Sequence, residues 1–160
     1  MPRSGRVFIE SACYHIIMRG SRRQSVFRDE DDRLFFIRLI RKYKLKYGSY
    51  VYGYCLMDNH VHLIAKFPRG RRSMSSFVHG VNLSYAMHFN SRYHATGHLW
   101  QNQYKSFVIL KDDHLINVIS YVEFKPVRSK TVSRPEEYPW SSYRARVTGT
   151  RDGVLDVLSL

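Results

Sequence analysis

Seven consecutive segments between residues 13 and 124 keep either a strand-like or a helix-like apolar spacing, and their order limits what this chain can fold into. CYHIIMRG (13–20) is apolar enough for a buried strand and is closed by Gly20. A basic loop, SRRQSVFRD, follows it. Asp29 then offers an N-cap, and Glu30, Asp31 and Asp32 suit the positive end of a helix dipole. Phe36, Ile40, Tyr43 and Tyr47 recur at helical spacing, with Phe35 and Leu39 beside them, until Gly48 supplies a stop. SYVYGYCLM (49–57) reads as a strand, Asp58-Asn59 as a turn, and HVHLIAKF (60–67) as a second strand paired with the first in a hairpin. PRGRRS is a basic loop. Ser73 begins a helix with Met74, Phe77, Val81, Tyr85 and Phe89 near one face. After the connection SRYHATGH, LWQNQYKSFVIL (99–110) holds a strand. Asp112 or Asp113 caps a third helix that runs to Phe124, where Pro126 ends it. YPWSSYRA, further on, reads as a short docking segment.

Strand, helix, strand, strand, helix, strand, helix predicts an α+β chain: a ferredoxin-like (RRM-like) antiparallel sheet with helices packed on one face, plus a C-terminal helix. Such a sheet leaves its other face for a ligand. The 160 residues predict one domain, placed at 1–148 with 149–160 as a tail. Cys13 and Cys55 form no disulfide framework and no Cys-x-x-Cys pair, which suits a reducing cytosol. The N-terminal MPRSGRVFIE has no apolar signal-peptide core, and no stretch of about 18 apolar residues exists to span a membrane. The expectation is a cytoplasmic, nucleoid-associated protein. Charge narrows the partner: 26 Lys and Arg against 13 acids leave a formal net charge of +13, which favours a polyanion, most simply nucleic acid. A basic protein binding anionic surfaces without specificity is the plainer alternative. The 12 Tyr and 9 Phe offer stacking platforms for unpaired bases, although most must fill the core.

The segment 60–67 carries the first chemical signal. Side chains alternate along a strand, so Val61, Leu63, Ala65 and Phe67 form one apolar face, while His60 and His62 share the opposite one with Ile64 and Lys66. Two neutral imidazoles projecting from one strand can converge on a divalent cation and leave room for water and phosphate. His-x-His alone does not choose between ligands and ordinary surface histidines. The remaining histidines, His15 among them, receive no role from this pattern.

A site acting on nucleic acid needs a nucleophile. There is no Gly-x-Ser-x-Gly elbow and no phosphate-binding loop. In the third helix, Leu115, Ile119 and Val122 form the apolar stripe and set Tyr121 at its edge, where its hydroxyl can reach a cleft. A phenol can attack a phosphodiester when a metal and basic groups stabilise the developing charge. An aromatic covering the core edge would sit in the same place.

Five phrases in order, YHIIMRGSRRQSVFRD, YCLMDNHVHLI, GHLWQNQYKS, SYVEFKPVRS and YPWSSYRA, resemble the single-tyrosine HUH transposases. The likeness is to the REP-associated tyrosine transposases and their insertion-sequence relatives, and it runs from about Cys13 to Arg146. The resemblance implies that His60-Val61-His62 binds a divalent ion, Mg²⁺ or Mn²⁺. It implies that Tyr121 is the catalytic nucleophile. Tyr121 would cut single-stranded DNA, form a 5′-phosphotyrosine link, and complete strand transfer by the reverse step. Relatives recognise imperfect hairpins and many act as dimers, so hairpin-bearing single-stranded DNA and a second copy of the chain are the implied partners.

One departure stands out. Relatives place Asn or Gln one helical turn after the tyrosine, as an aid to metal binding; here that position is Lys125. A charged ammonium has donors and no acceptor, so Lys125 either weakens metal binding or contacts the phosphate. Asp58 replaces a proline frequent in relatives, and suits the same turn. Arg22, Arg23 and the run Arg69, Arg71 and Arg72 are candidate phosphate contacts or else solvated loops; Tyr104 and Lys105 are further candidates for DNA contact. Two other readings remain: a noncatalytic or decayed nucleic-acid-binding module on the same fold, which Lys125 favours, and a histidine phosphoesterase. The latter wants a third histidine nearby, and the next same-face position on the strand is Ile64.

Overall fold

In the computed structural model, which describes residues 8–101 and 103–158, four strands form one antiparallel sheet in the order β2-β3-β1-β4. The elements are β1 (Cys13–Arg19), α1 (Glu30–Tyr47), β2 (Tyr50–Leu56), β3 (His60–Lys66), α2 (Arg71–Tyr93), β4 (Lys105–Ile109), α3 (Asp112–Glu123), α4 (Lys125–Arg128) and α5 (Tyr143–Thr148). This is the β-α-β-β-α-β order predicted above, with β1 and β3 as the inner strands.

Alternation divides the chain into two apolar clusters. Tyr14, Ile16 and Met18 of β1 and Val61, Leu63 and Ala65 of β3 face α1 and α2, where Phe36, Ile40, Phe77, Val81 and Tyr85 are fully buried. Each such side chain contributes about 1.5–3 kcal/mol by leaving water. On the other face Cys13, Cys55, Ile64 and Ile109 meet Leu115, Ile119 and Val122 of α3. The third helix therefore covers part of the face that the sequence left for a ligand. The two thiols are free and buried in this second cluster.

Local signals explain most boundaries. The Asp29 carboxylate accepts the Asp32 amide at 3.0 Å, and Gly48 ends α1 in the left-handed region at φ 61°. Three expectations need correction. The helix α2 starts at Arg71, not Ser73, so Arg71 and Arg72 occupy its first turn and not a loop. Lys111, not Asp112 or Asp113, is the N-cap of α3, and both acids lie in its first turn without capping it. Pro126 does not simply end that helix: it opens the short α4, where its missing N–H costs no helical bond.

The YPWSSYRA segment docks on β2. The Leu56 amide donates to the Trp140 carbonyl at 2.8 Å and the Ser142 amide to that of Tyr54 at 3.0 Å, so the segment shields the outer edge of the sheet. Residues of the segment 149–158 also pack inward. Lys44 donates to the carbonyl of the buried Val154 at 2.7 Å, and the Asp156 carboxylate accepts the Val51 amide at 2.8 Å.

The two long helices are tied by Asp32, a buried carboxylate that accepts from Tyr93 at 2.5 Å, Arg92 at 2.8 Å, His88 at 3.1 Å and the Arg28 amide at 2.9 Å. Burial opposes its ionisation, but these four donors outweigh burial and hold the carboxyl below its ordinary value of 3.8. Asp32→Ala should lower stability by about 3–5 kcal/mol in urea titrations at pH 7, because a buried charge network loses its centre. The contribution of Asp32 is complete above the ordinary carboxylate value and is lost as pH falls through the lower folded value. The variant should therefore show a shallower loss of stability in acid than the parent chain.

Candidate active site

The site begins at the turn before β3. Gly20, at the end of β1, donates its amide to the Asn59 carbonyl at 2.8 Å, and Val26 donates to that of Asp58 at 2.8 Å. A Cβ at Gly20 would stand 2.4 Å from the Gln24 carbonyl oxygen, so only glycine fits this approach. The Asp58 carboxylate pairs with Arg33 at 2.5 Å and so holds the turn to α1. His60 follows from a clamped start.

His60 and His62 project on the face opposite the main core, as the alternation predicts, with ring centroids 5.0 Å apart. The β1–β3 register sets Arg19 opposite His60 and Ile17 opposite His62. The same register brings His15 diagonally against His62: its Nε2 lies 2.9 Å from His62 Nδ1. Sequence reasoning missed both His15 and Arg19. The period-two pattern of β1 already places them on one face, but only the pairing register shows which residues they meet. A third histidine does therefore stand beside the pair, which corrects the argument made from Ile64.

Each imidazole is disposed to keep one nitrogen unprotonated. His60 Nδ1 lies 2.6 Å from the Asn59 side-chain oxygen, an acceptor, so Nδ1 carries the hydrogen and Nε2 the lone pair. His62 is 3% exposed, and its Nε2 is buried with no hydrogen-bond partner among the described residues. A buried ring nitrogen without a partner fits a cation ligand when it is unprotonated, and with the free Nε2 of His60 it would suit a divalent ion completed by water or phosphate. Among the described residues, no group of three or more His, Cys, Asp or Glu side chains is arranged to hold a metal.

Electrostatics keep these rings neutral. Burial lowers the His15 pKa to about 4. Burial, then Arg19 and Lys125, lower that of His60 to about 4, with Asp58 opposing. Burial, then His15, His60, Lys125 and Arg19, lower that of His62 to about 2.

Tyr121 stands at the edge of α3, 47% exposed, beside the buried Leu115–Ile119–Val122 stripe. The Arg128 guanidinium lies 4.2 Å from its ring centroid and donates to its carbonyl, and Lys125 Nζ lies 5.8 Å from the same ring. Lys125 thus links the two halves of the site: it faces the Tyr121 ring and its charge reaches both imidazoles. No hydrogen bond or ring contact joins Tyr121 directly to either histidine among the described residues. The helix itself is anchored by Glu123, which is buried and accepts from Ser142 and from Arg146 at 3.1 Å; Arg146 also donates to the Tyr52 carbonyl. Burial raises the Glu123 pKa, and Ser142 and Arg146 oppose that rise.

The other predicted contacts are dispersed. Lys105 opens β4 opposite Ile17 and so shares the histidine face, with the exposed Phe107 next on that face opposite His15. Arg22 and Arg23 are exposed in a 3₁₀ turn, both at positive φ. Arg69 donates to the Lys46 carbonyl at 3.3 Å, so it braces the end of α1. Arg71 and Arg72 are exposed at the start of α2. Tyr104 lines a cleft of about 510 Å³ between α2 and residues 97–101 and 103–104, whose lining includes neither His60 nor His62.

The histidine pair thus lies on an inner strand and faces the side of the sheet that carries α3 with its exposed tyrosine. The family described as "Transposase IS200 like" matches residues 8–125, and this chain belongs to it. A solved REP-associated tyrosine transposase bound to a REP hairpin superposes with a TM-score of 0.75 at 18% identity, covering 100% of this chain and 95% of that one. A transposase-like protein of Deinococcus radiodurans aligns at 21% identity with a TM-score of 0.49, over 76% of this chain and 95% of its own. No curated protein matches. Among the described residues no helix is long and apolar enough to cross a membrane.

The depressed pKa values set a pH expectation. His15, His60 and His62 should remain unprotonated from pH 8 down to pH ~5 in NMR titrations, below the ordinary histidine value of ~6.5. Because the unfolded chain takes up those protons first, these three rings should make the fold less stable as pH drops from ~6.5 towards ~4.

Proposed function

We propose that this transposase-family protein cleaves and rejoins single-stranded DNA through Tyr121, with His60 and His62 as ligands for Mg²⁺ or Mn²⁺. The observation that carries the reading is His62 Nε2, buried without a partner beside a second imidazole whose Nδ1 is already engaged. When bound, the ion would withdraw charge from the scissile phosphate. Tyr121 Oη attacks phosphorus and releases its phenolic proton; the Oη–P bond forms as the P–O3′ bond breaks. The departing 3′ oxygen takes up a proton, which leaves a 5′-phosphotyrosine and a free 3′-hydroxyl. Attack by a 3′-hydroxyl on that linkage reverses the step, so no nucleotide is hydrolysed. Lys125 and Arg128, both against the Tyr121 ring, supply positive charge to the phosphate in this reading.

The substrate would be DNA with a hairpin near the cut. Support comes from the net charge of +13 and from the histidine face, where Arg19, Lys105 and the exposed Phe107 offer charge and a stacking ring. The solved neighbour is itself described as bound to a REP hairpin. Glu123 ties α3 to β2 of the same chain, which supports Tyr121 serving its own chain's histidines. Lys125 in place of an amide supports a second reading, a binding module without cleavage.

A labelled hairpin library with Mn²⁺ separates the two. The expected product is a protein–DNA adduct that survives denaturation, is absent in Tyr121→Phe, and is not restored by mixing that variant with His60→Ala/His62→Ala. DNA binding with no adduct from the unsubstituted protein would establish the module instead.

The Lys125→Asn variant exchanges a repelling cation for an oxygen donor. Its affinity for Mn²⁺ should rise by about tenfold, or ~1.4 kcal/mol, while cleavage changes through the lost phosphate contact. Equal affinity together with equal cleavage would remove Lys125 from the site.

A further inference from the structure

The sequence pattern gives His15 no role, yet its side chain makes a direct polar contact to His62. It sits on an inner strand, opposite Ile64 of β3 and Phe107 of β4, so both neighbouring strands constrain its ring. Its ring centroid is 5.1 Å from that of His62 and 6.1 Å from that of Phe107. The polar contact is specific: Nε2 of His15 to Nδ1 of His62 at 2.9 Å.

A neutral imidazole has one N–H, so two neutral rings at this distance allow two arrangements. If His15 donates, His62 Nδ1 accepts and its hydrogen must reside on Nε2. That nitrogen is buried with no acceptor, and an orphaned buried donor is what folded proteins avoid most strictly. If His62 donates, its Nε2 holds only a lone pair, which a cation can use. His60 shows the same solution at the neighbouring position, with Nδ1 engaged by Asn59 and Nε2 left over. Histidines that bind metals characteristically donate their other ring hydrogen to a fixed acceptor.

We propose that His15 is a positioning residue: its Nε2 accepts the Nδ1 hydrogen of His62 and holds that ring in the tautomer whose Nε2 can bind a divalent cation. This rests on the metal-dependent reading of the site and deepens it. His15 is itself no ligand in this arrangement, because its Nε2 is occupied by the bond. A neutral acceptor differs in effect from the more usual carboxylate. It orients the ring without adding negative charge that would draw Arg19 or Lys125 away from a phosphate.

The test uses the full chain, ¹⁵N-labelled and metal-free at pH 7, with long-range ¹H–¹⁵N correlation spectra that report which ring nitrogen bears hydrogen. His62 should carry its hydrogen on Nδ1. In His15→Phe, which keeps an aromatic ring but no acceptor, the Nε2-protonated form of His62 should become populated, and Mn²⁺ affinity should fall about 10–100-fold. His15→Gln, whose side-chain oxygen can accept, should restore much of both. A packing role alone would leave the tautomer unchanged in His15→Phe. Finding His62 protonated on Nε2 in the unsubstituted chain, or an unchanged tautomer and affinity in His15→Phe, would overturn the proposal. Nδ1 protonation that responds to His15 as described, in a chain that takes up no Mn²⁺, would uphold the positioning and overturn only the metal-dependent reading.

Discussion

The antiparallel ladder between β1 and β3 is the constraint on which the site depends. Its register pairs Cys13 with Lys66 at one end and Arg19 with His60 at the other. A slip of one residue would turn Tyr14, Ile16 and Met18 out of the main core and His15 into it. Burial of those three side chains therefore specifies the register, and the register in turn places His15 against His62 and Arg19 beside His60. The chemistry on one face is held by the packing on the other.

Two buried carboxylates then set the helices on that sheet. Asp32 gathers Tyr93, Arg92, His88 and the Arg28 amide, and so joins the start of α1 to the end of α2. Glu123 gathers Ser142 and Arg146, and so joins the tyrosine helix to the segment that docks along β2. Both carboxylates are multiply bonded, as a buried charge must be. The second clamp lies two residues from Tyr121; Ser142 comes from the phrase YPWSSYRA and Arg146 follows that phrase directly. That phrase thus serves the site indirectly, by fixing the helix that carries the phenol.

The histidine face has an electrostatic character that follows from its neighbours. Burial, Arg19 and Lys125 all act against protonation of the imidazoles. Neutral nitrogens surrounded by fixed cations suit an anionic substrate, and they suit a cation ligand only through their lone pairs. Lys125 embodies this tension. It stands close to the Tyr121 ring, and its charge is felt at both His60 and His62.

Much of this was legible in the sequence because it depends on local periodicity. Alternation in HVHLIAKF was enough to separate His60 and His62 from Val61, Leu63 and Ala65, and the Leu115–Ile119–Val122 stripe was enough to put Tyr121 at its edge. The order of seven elements determined the fold class, and Asp29 and Gly48 determined the limits of α1. What the sequence left open involves partners distant along the chain. His15 and His62 are 47 residues apart, Glu123 and Arg146 are 23 apart, and Lys44 and Val154 are 110 apart. Element boundaries at Arg71, Lys111 and Pro126 also differ from those the sequence suggests. Hydrophobic period decides which way a side chain points, and it is a property of a few neighbouring residues. Which side chain it meets is decided by strand register and helix docking, and these exist only once the whole core has closed.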